Sequence, residues 1–194
     1  MKDKENIGHI QDATMYDTLI GTIRIWAGPQ GIKRLSFEGT SSESRREEST
    51  PDSAVIRKAT KQLAQYFTGE LKRFDLPLDL SSCSDFQLRV FQELREIPYG
   101  QFQTYRNLAE ALDQPRASRS VGQALKANPI PIFLPCHRVI RSDGRLGGYV
   151  GNLEHNLQRK TTLLEIGRNQ NKKRYDQGYE CRRNSIFAVL GQER

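Results

Sequence analysis

Cys136, His137 and Arg138 stand side by side in "PCHRV", residues 135–139, directly after the apolar run Ile132, Phe133 and Leu134. A thiolate is a far stronger nucleophile than a thiol, and it forms more readily where imidazole, guanidinium or a helix N-terminus favours negative charge. These three residues have the chemistry of an activated sulfur nucleophile placed at the end of a buried strand. The competing reading is an inert core residue, because buried thiols behave as small hydrophobes. His137 does not ordinarily fold back onto its own neighbour, so activation needs a bridging water or a turn. A hydrolytic Cys/His pair would want a separate histidine. The other two are His9, near the terminus, and His155, so that option is weak.

Composition limits what could surround such a thiol. With 194 residues and 36% hydrophobic content, the chain can bury one full core, or a small domain beside a medium one. Cys83, Cys136 and Cys181 are too few and too unevenly spaced for a disulfide framework. No Cys/His pair has the short spacing of a structural zinc site, so no metal is expected. The first residues lack an apolar signal core, and no run approaches the roughly 18 apolar residues of a membrane span. A soluble protein of a reducing compartment is expected, cytoplasmic or, in a eukaryote, nuclear.

The formal charge of +7 is unevenly distributed. Residues 1–96 hold 14 Lys/Arg against 15 Asp/Glu, residues 97–167 hold 9 against 5, and residues 168–194 hold 7 against 3. The basic excess lies in the half that contains Cys136. A polyanion such as nucleic acid accounts for the asymmetry, and so does simple solubility.

Several elements could position the thiol. Alternating apolar and polar residues on either side of Gly28, Pro29 and Gly31 predict a hairpin in a small antiparallel sheet. Residues 38–53 read as a polar surface loop. Ile56, Ala59, Leu63, Tyr66 and Phe67 recur at helical spacing, with Gly69 as a stop, and Phe86, Val90, Phe91 and Leu94 mark a second amphipathic helix ending before Pro98. A domain boundary is expected near Leu80. Thr104 can cap a helix over Leu108, Ala109 and Leu112. After a break at Asp113–Pro115, a second helix from about Arg116 to Ala127 buries Val121 and Leu125. This is helix-turn-helix spacing. The second helix carries Arg116, Arg119 and Lys126 among small residues that would let its backbone press closely into a groove; an ordinary helical hairpin with solvated arginines has the same pattern.

Taken together, "FDLPLDL", "FQLRVFQELREIPYGQFQTYRNLAEAL", "RASRSVGQALKANPIPIFLPCHRVI" and "GRLGGY" resemble, in order and spacing, the O6-alkylguanine-DNA alkyltransferases, or methylated-DNA–protein-cysteine methyltransferases. The similarity runs from about Leu63 to Leu164 and extends more weakly into the N-terminal sheet. It implies an α+β fold: a ribonuclease-H-like sheet with a helix over residues 1–80, then a mainly helical, winged helix-turn-helix-like domain over 81–167 with the reactive cysteine. Residues 168–194 would be a basic extension in which Ile186, Phe187, Val189 and Leu190 could form a short helix.

The resemblance also implies a function and a site. The protein would bind double-stranded DNA as a monomer through the minor groove, flip a damaged nucleotide and move the alkyl group from guanine O6, or less efficiently thymine O4, to Cys136 in a single turnover without a cofactor. His137 would take the thiol proton through water, Asn128 would brace the active-site turn, and Tyr105 would crowd the target phosphate and donate to the base. Arg119 would fill the vacated stack. Gln87, Arg106, Gln114 and Ser142 fall at DNA-contact positions, and Val139, Tyr149 and Val150 at pocket positions. Carbonyls of Cys136 and Val139 would accept from the guanine amino group, and Gly147, Gly148 and Gly151 would form a flexible lid.

Two departures stand out. The family's core ends "K..LL..E", whose glutamate orients the histidine. Here Lys160, Leu163 and Leu164 are present but the glutamate position is Gly167, with Glu165 two residues early. The segment after Tyr149 is about four residues longer than usual, and Val150 stands where some members have serine. Three functions therefore compete: a DNA repair alkyltransferase, an alkyltransferase-like lesion-binding protein without chemistry, and a helix-turn-helix transcription regulator.

Overall fold

The computed structural model describes residues 11–37, 53–150 and 154–175, with no side-chain description for 11–17 and 169–175. The expected features at His9, Gly151, Cys181 and the 186–190 apolar cluster lie outside the described residues.

Strands β1 (Gln11–Thr18), β2 (Gly21–Gly28) and β3 (Gly31–Phe37) form an antiparallel sheet in the order β1-β2-β3. The period of two turns Ile23, Ile25 and Ala27 of β2 inward. Helix α1 (Ala54–Thr68) covers that face with Ile56, Ala59, Leu63 and Tyr66, one stripe at helical spacing, and ends at Gly69 in the left-handed conformation at φ 77°. Gln62 of α1 pairs with the backbone of Asp75 as another strand would, donating to its carbonyl at 3.2 Å and accepting its N–H at 3.0 Å. This fastens the segment "FDLPLDL". The same segment clips onto β3, with Ile32 N–H on the Pro77 carbonyl and Asp79 N–H on the Ile32 carbonyl.

Helix α2 (Asp85–Glu96) begins with a capping box between Ser84 and Gln87. A two-residue strand β4 (Gln103–Thr104) leads into α3 (Tyr105–Ala111), where the Thr104 hydroxyl accepts from Asn107 N–H at 3.1 Å. Helix α4 (Ser118–Lys126) starts two residues later than the spacing predicts, because Ala117 takes the N-cap position. It buries Val121, Ala124 and Leu125 against α2 and α3.

The expected strand before Cys136 is absent. Residues 129–135 carry prolines at 129, 131 and 135, which lack ladder N–H donors and fix φ, so this buried segment is an irregular turn. Ile132 within it has φ 76°, an unusual setting for a β-branched residue. A 3₁₀ turn follows over Cys136–Arg138, then β5 (Val139–Ile140), which pairs parallel with β4. Helix α5 (Glu154–Tyr175) packs on the 3₁₀ turn and runs through residue 168, where the sequence suggests a separate extension begins. Arg159 Nε of α5 donates to the Ile20 carbonyl at 2.9 Å, linking it to the sheet. No described helix is long and apolar enough to cross a membrane.

Gly31 has φ 133°, and a Cβ there would lie 2.3 Å from the Pro77 carbonyl oxygen. Gly31→Ala should therefore strain the backbone and push the β3 clip apart. Urea unfolding is expected to show a loss of about 2–4 kcal/mol, far beyond an ordinary surface substitution.

Candidate active site

The proline-rich turn is braced from inside. Asn128 follows α4, and its buried side chain makes three hydrogen bonds: Oδ1 accepts from Ile130 N–H at 3.0 Å, and Nδ2 donates to the Leu134 carbonyl at 3.0 Å and to Cys136 Sγ at 3.1 Å. One amide thus replaces the missing ladder bonds and also contacts the sulfur. The 3₁₀ turn then separates Cys136 from its sequence neighbours, so consecutive residues face different surroundings.

Cys136 lines a cavity of about 240 Å³ with Tyr105, Gly122, Gly148, Tyr149 and Val150. The volume falls below the roughly 300–1,000 Å³ of typical small-molecule pockets, a size suited to one planar group. Gly147 is held at φ 68°, and a Cβ there would lie 2.9 Å from Tyr105 Oη, so the lid glycine and the pocket tyrosine are matched in shape. A larger cleft of about 650 Å³ borders Pro135 and Arg138 but does not include Cys136. Its lining holds no cysteine, serine, threonine or histidine.

Burial pushes the Cys136 thiol up to about 11, against the opposing pull of the Asn128 hydrogen bond, the Lys160 charge and the backbone N–H groups of Cys136 and His137. The thiol form therefore predominates at neutral pH, and reaction at this sulfur requires removal of its proton. This group favours the folded state below its ordinary value of 9.0, and that contribution is lost as pH rises from there toward 11.

His137 is also buried, and its Nε2 lies 3.0 Å from Tyr66 Oη of α1. Nδ1 has no protein hydrogen-bond partner among the described residues. Desolvation, with Arg138 and Lys160 nearby, holds the imidazole well below its ordinary range and therefore neutral. Among the described residues no carboxylate bonds the ring. Glu165 is exposed on α5 and does not stand in for the family glutamate. A Cβ at Gly167 would lie 2.9 Å from Gly100 Cα, and the gap bounded by Tyr66, Gly100, His137 and Gly167 holds only about 10 Å³, too little for a carboxylate side chain.

The sequence reading passed over two site residues. Tyr66 appeared there only as part of a helix stripe, although a buried tyrosine hydroxyl demands a partner. Lys160 appeared only as a motif letter. It is fully buried, its Nζ donates to the carbonyls of Val139, Leu146 and Gly148, and burial lowers it to about 8. It ties β5 to the lid beside the pocket. The Val139 side chain does not line the cavity, and the Val139 and Cys136 carbonyls each already accept one bond, from Lys160 and from Val139 N–H.

The expected DNA contacts differ in exposure. Arg106, Arg119 and Ser142 are exposed, while Gln87 and Gln114 are half-buried. Arg106 pairs with Glu110 at 3.2 Å, and Gln87 is occupied in the α2 cap.

Residues 85–168 match the family model described as 6-O-methylguanine DNA methyltransferase, DNA binding domain, and residues 13–80 match its ribonuclease-like domain. The chain belongs to the 6-O-methylguanine DNA methyltransferase family. Among its relatives is the methylated-DNA–protein-cysteine methyltransferase of Methanosarcina acetivorans, 39% identical over 145 residues, covering 72% of this chain and 90% of the relative. The Mycobacterium bovis protein of the same name is 40% identical over 150 residues, covering 77% and 88%. The crystal structure of Mycobacterium tuberculosis O6-methylguanine methyltransferase superposes with a TM-score of 0.70 at 37% identity, covering 83% of this chain and 94% of that one. A second structure, that organism's OGT in complex with DNA, gives 0.68 at 39% identity, covering 82% and 93%.

The neutral burial of His137 has a consequence for stability. The unfolded histidine takes a proton near its ordinary 6.5, whereas the folded one does so only at much lower pH. The unfolded chain therefore binds more protons below about pH 6.5, and stability falls as pH drops through that point. Urea unfolding at about pH 7 and about pH 5 should show the wild type losing up to about 1.4 kcal/mol per pH unit more than His137→Phe.

Proposed function

We propose that this protein repairs DNA by moving an alkyl group irreversibly from O6-alkylguanine, and less efficiently from O4-alkylthymine, to Cys136. The observation that carries this reading is the cavity itself: a buried, braced thiol at the floor of a pocket sized for one base, in a chain that matches both domains of a methyltransferase family. An acceptor sulfur needs no cofactor, since the alkyl carbon passes directly from guanine O6 to the sulfur.

The step balances simply. The thiol loses its proton, Sγ attacks the alkyl carbon, the Sγ–C bond forms as the O6–C bond breaks, and the electron pair returns to the guanine ring, which gains a proton. Asn128 and the backbone N–H groups of the 3₁₀ turn favour the developing thiolate, and the Lys160 charge adds to this. Tyr105, half-buried at the pocket rim, is placed to donate to the leaving base, with Tyr149 and Val150 as walls. The thiol proton leaves through water, and the part that His137, the buried imidazole next in sequence, takes in that transfer is set by which ring nitrogen is protonated.

A base enters this pocket only outside its stack. Flipping costs a few kcal/mol, less for a poorly paired alkylated base. Arg119, exposed on α4, fills the gap left in the duplex, and Arg106, Gln87, Gln114 and Ser142 contact the strand around it. The small residues of α4 suit entry into a minor groove, whose sparse code fits repair at any sequence. The protein acts as a monomer. A second reading, lesion binding without transfer, is favoured by one observation, the lack of a carboxylate on His137 among the described residues.

Incubation with a duplex carrying one O6-methylguanine, followed by intact-mass and peptide analysis, tests the reading. One added methyl of about 14 Da on Cys136, absent in Cys136→Ala, is the expected result. Tight lesion binding without a mass change overturns transfer and establishes a damage sensor. Arg119→Ala should slow repair of the duplex on the order of tenfold while leaving reaction with the free alkylated base unchanged.

A further inference from the structure

The tyrosine on His137 decides which ring nitrogen carries the proton. Tyr66 Oη sits in a buried triangle: His137 Nε2 at 3.0 Å, and Arg138 Nη2 at 3.4 Å. The arginine can only donate, and its Nη1 is committed to the Ile97 carbonyl at 2.7 Å. The rings of Phe74 and Tyr99 pack against the Tyr66 ring, with centroids 4.9 and 5.3 Å away, and the residue is 1% exposed. Among the described residues the hydroxyl hydrogen therefore has one acceptor within reach, the lone pair of Nε2.

We propose that Tyr66 is a positioning residue that fixes His137 in the tautomer with the proton on Nδ1, so that in the resting site the ring nitrogen without a protein partner is a donor and does not itself accept the thiol proton. This rests on the reading of Cys136 and His137 as the reacting pair. If Nε2 carried the proton instead, Oη would face two donors, Arg138 and Nε2–H, and its own hydrogen would be buried without an acceptor. The Nδ1–H form leaves one buried group without a protein partner, Nδ1–H itself, whereas the Nε2–H form leaves two, the Tyr66 hydroxyl hydrogen and the Nδ1 lone pair, and this difference favours Nδ1–H. A carboxylate in the same place would impose the reverse, since it only accepts. The charged groups facing the ring, Arg138 and Lys160, are both cations and disfavour an imidazolium.

The consequence is a change of task. With Nδ1–H, the histidine stabilises a thiolate once it exists, and the rate follows thiol ionisation. A rate governed by an imidazole base would instead show a limb below the ordinary histidine range, where burial places His137.

Long-range proton–nitrogen NMR on the full chain, labelled with ¹⁵N-histidine, reads the tautomer directly, with His137 assigned by the signal lost in His137→Gln. The expected spectrum has Nδ1 in the protonated range and Nε2 in the unprotonated, hydrogen-bonded range at neutral pH. Tyr66→Phe should shift the population toward Nε2–H and change the pH profile of methyl transfer. An Nε2–H or doubly protonated ring in the wild type overturns the proposal, whether or not the phenylalanine variant folds. A wild type with Nδ1–H that transfers no methyl group leaves the tautomer standing and removes the repair reading.

Discussion

Three hydrogen bonds from one buried asparagine hold the reactive end of this molecule in place. The segment from Asn128 to Cys136 passes through the core, yet its prolines deprive it of the donors a strand would use. Asn128 satisfies the carbonyl and N–H groups that the turn leaves over and spends its remaining amide hydrogen on the sulfur. The turn also carries load outward: Pro129 accepts from Leu35 N–H at 2.9 Å, so the sheet and the nucleophile share a backbone contact. Loss of the amide would orphan buried polar groups on both sides, each worth about 1–3 kcal/mol.

Around this brace, buried polar side chains act as connectors between elements. Lys160 gathers three carbonyls from β5 and the lid, Gln62 clasps the segment after α1, and Arg138 joins the Ile97 carbonyl to Tyr66. Each connector bonds to an irregular backbone stretch. Regular elements satisfy themselves, whereas a turn forced through the core needs side chains to do so. The site is accordingly built from residues whose burial is unfavourable unless the whole arrangement forms, and the chemistry and the fold depend on the same bonds.

What the sequence made legible follows the same division. Periodicity marked β2, β3, α1 and α2, and Thr104 marked the start of α3, because these depend on local spacing and capping. The apolar run Ile132 to Leu134 looked like a strand because hydrophobicity reports burial and not hydrogen bonding; the prolines were the better guide. Tyr66 lay hidden for a related reason. Its ring belongs to the core stripe of α1, and only the contact across 71 residues of sequence shows that its hydroxyl serves His137. Gly167 was visible as a missing carboxylate, but its fit against Gly100 needed coordinates.

A nucleophile that reacts once meets a constraint that a recycled one does not. Every encounter with a stray electrophile removes a protein molecule for good, so a resting thiolate would be a liability. Burial answers this by holding Cys136 protonated and by leaving a pocket of about 240 Å³ as its approach. The same burial slows the wanted reaction, unless binding the substrate supplies what the empty site withholds. On the proposed reaction, a flipped base that fills the cavity would bring its own hydrogen-bonding edge to Tyr105, and the groups already aimed at the sulfur would gain strength as water is excluded. On that reaction, selectivity arises from a buried thiol that is poor at chemistry until the pocket is filled.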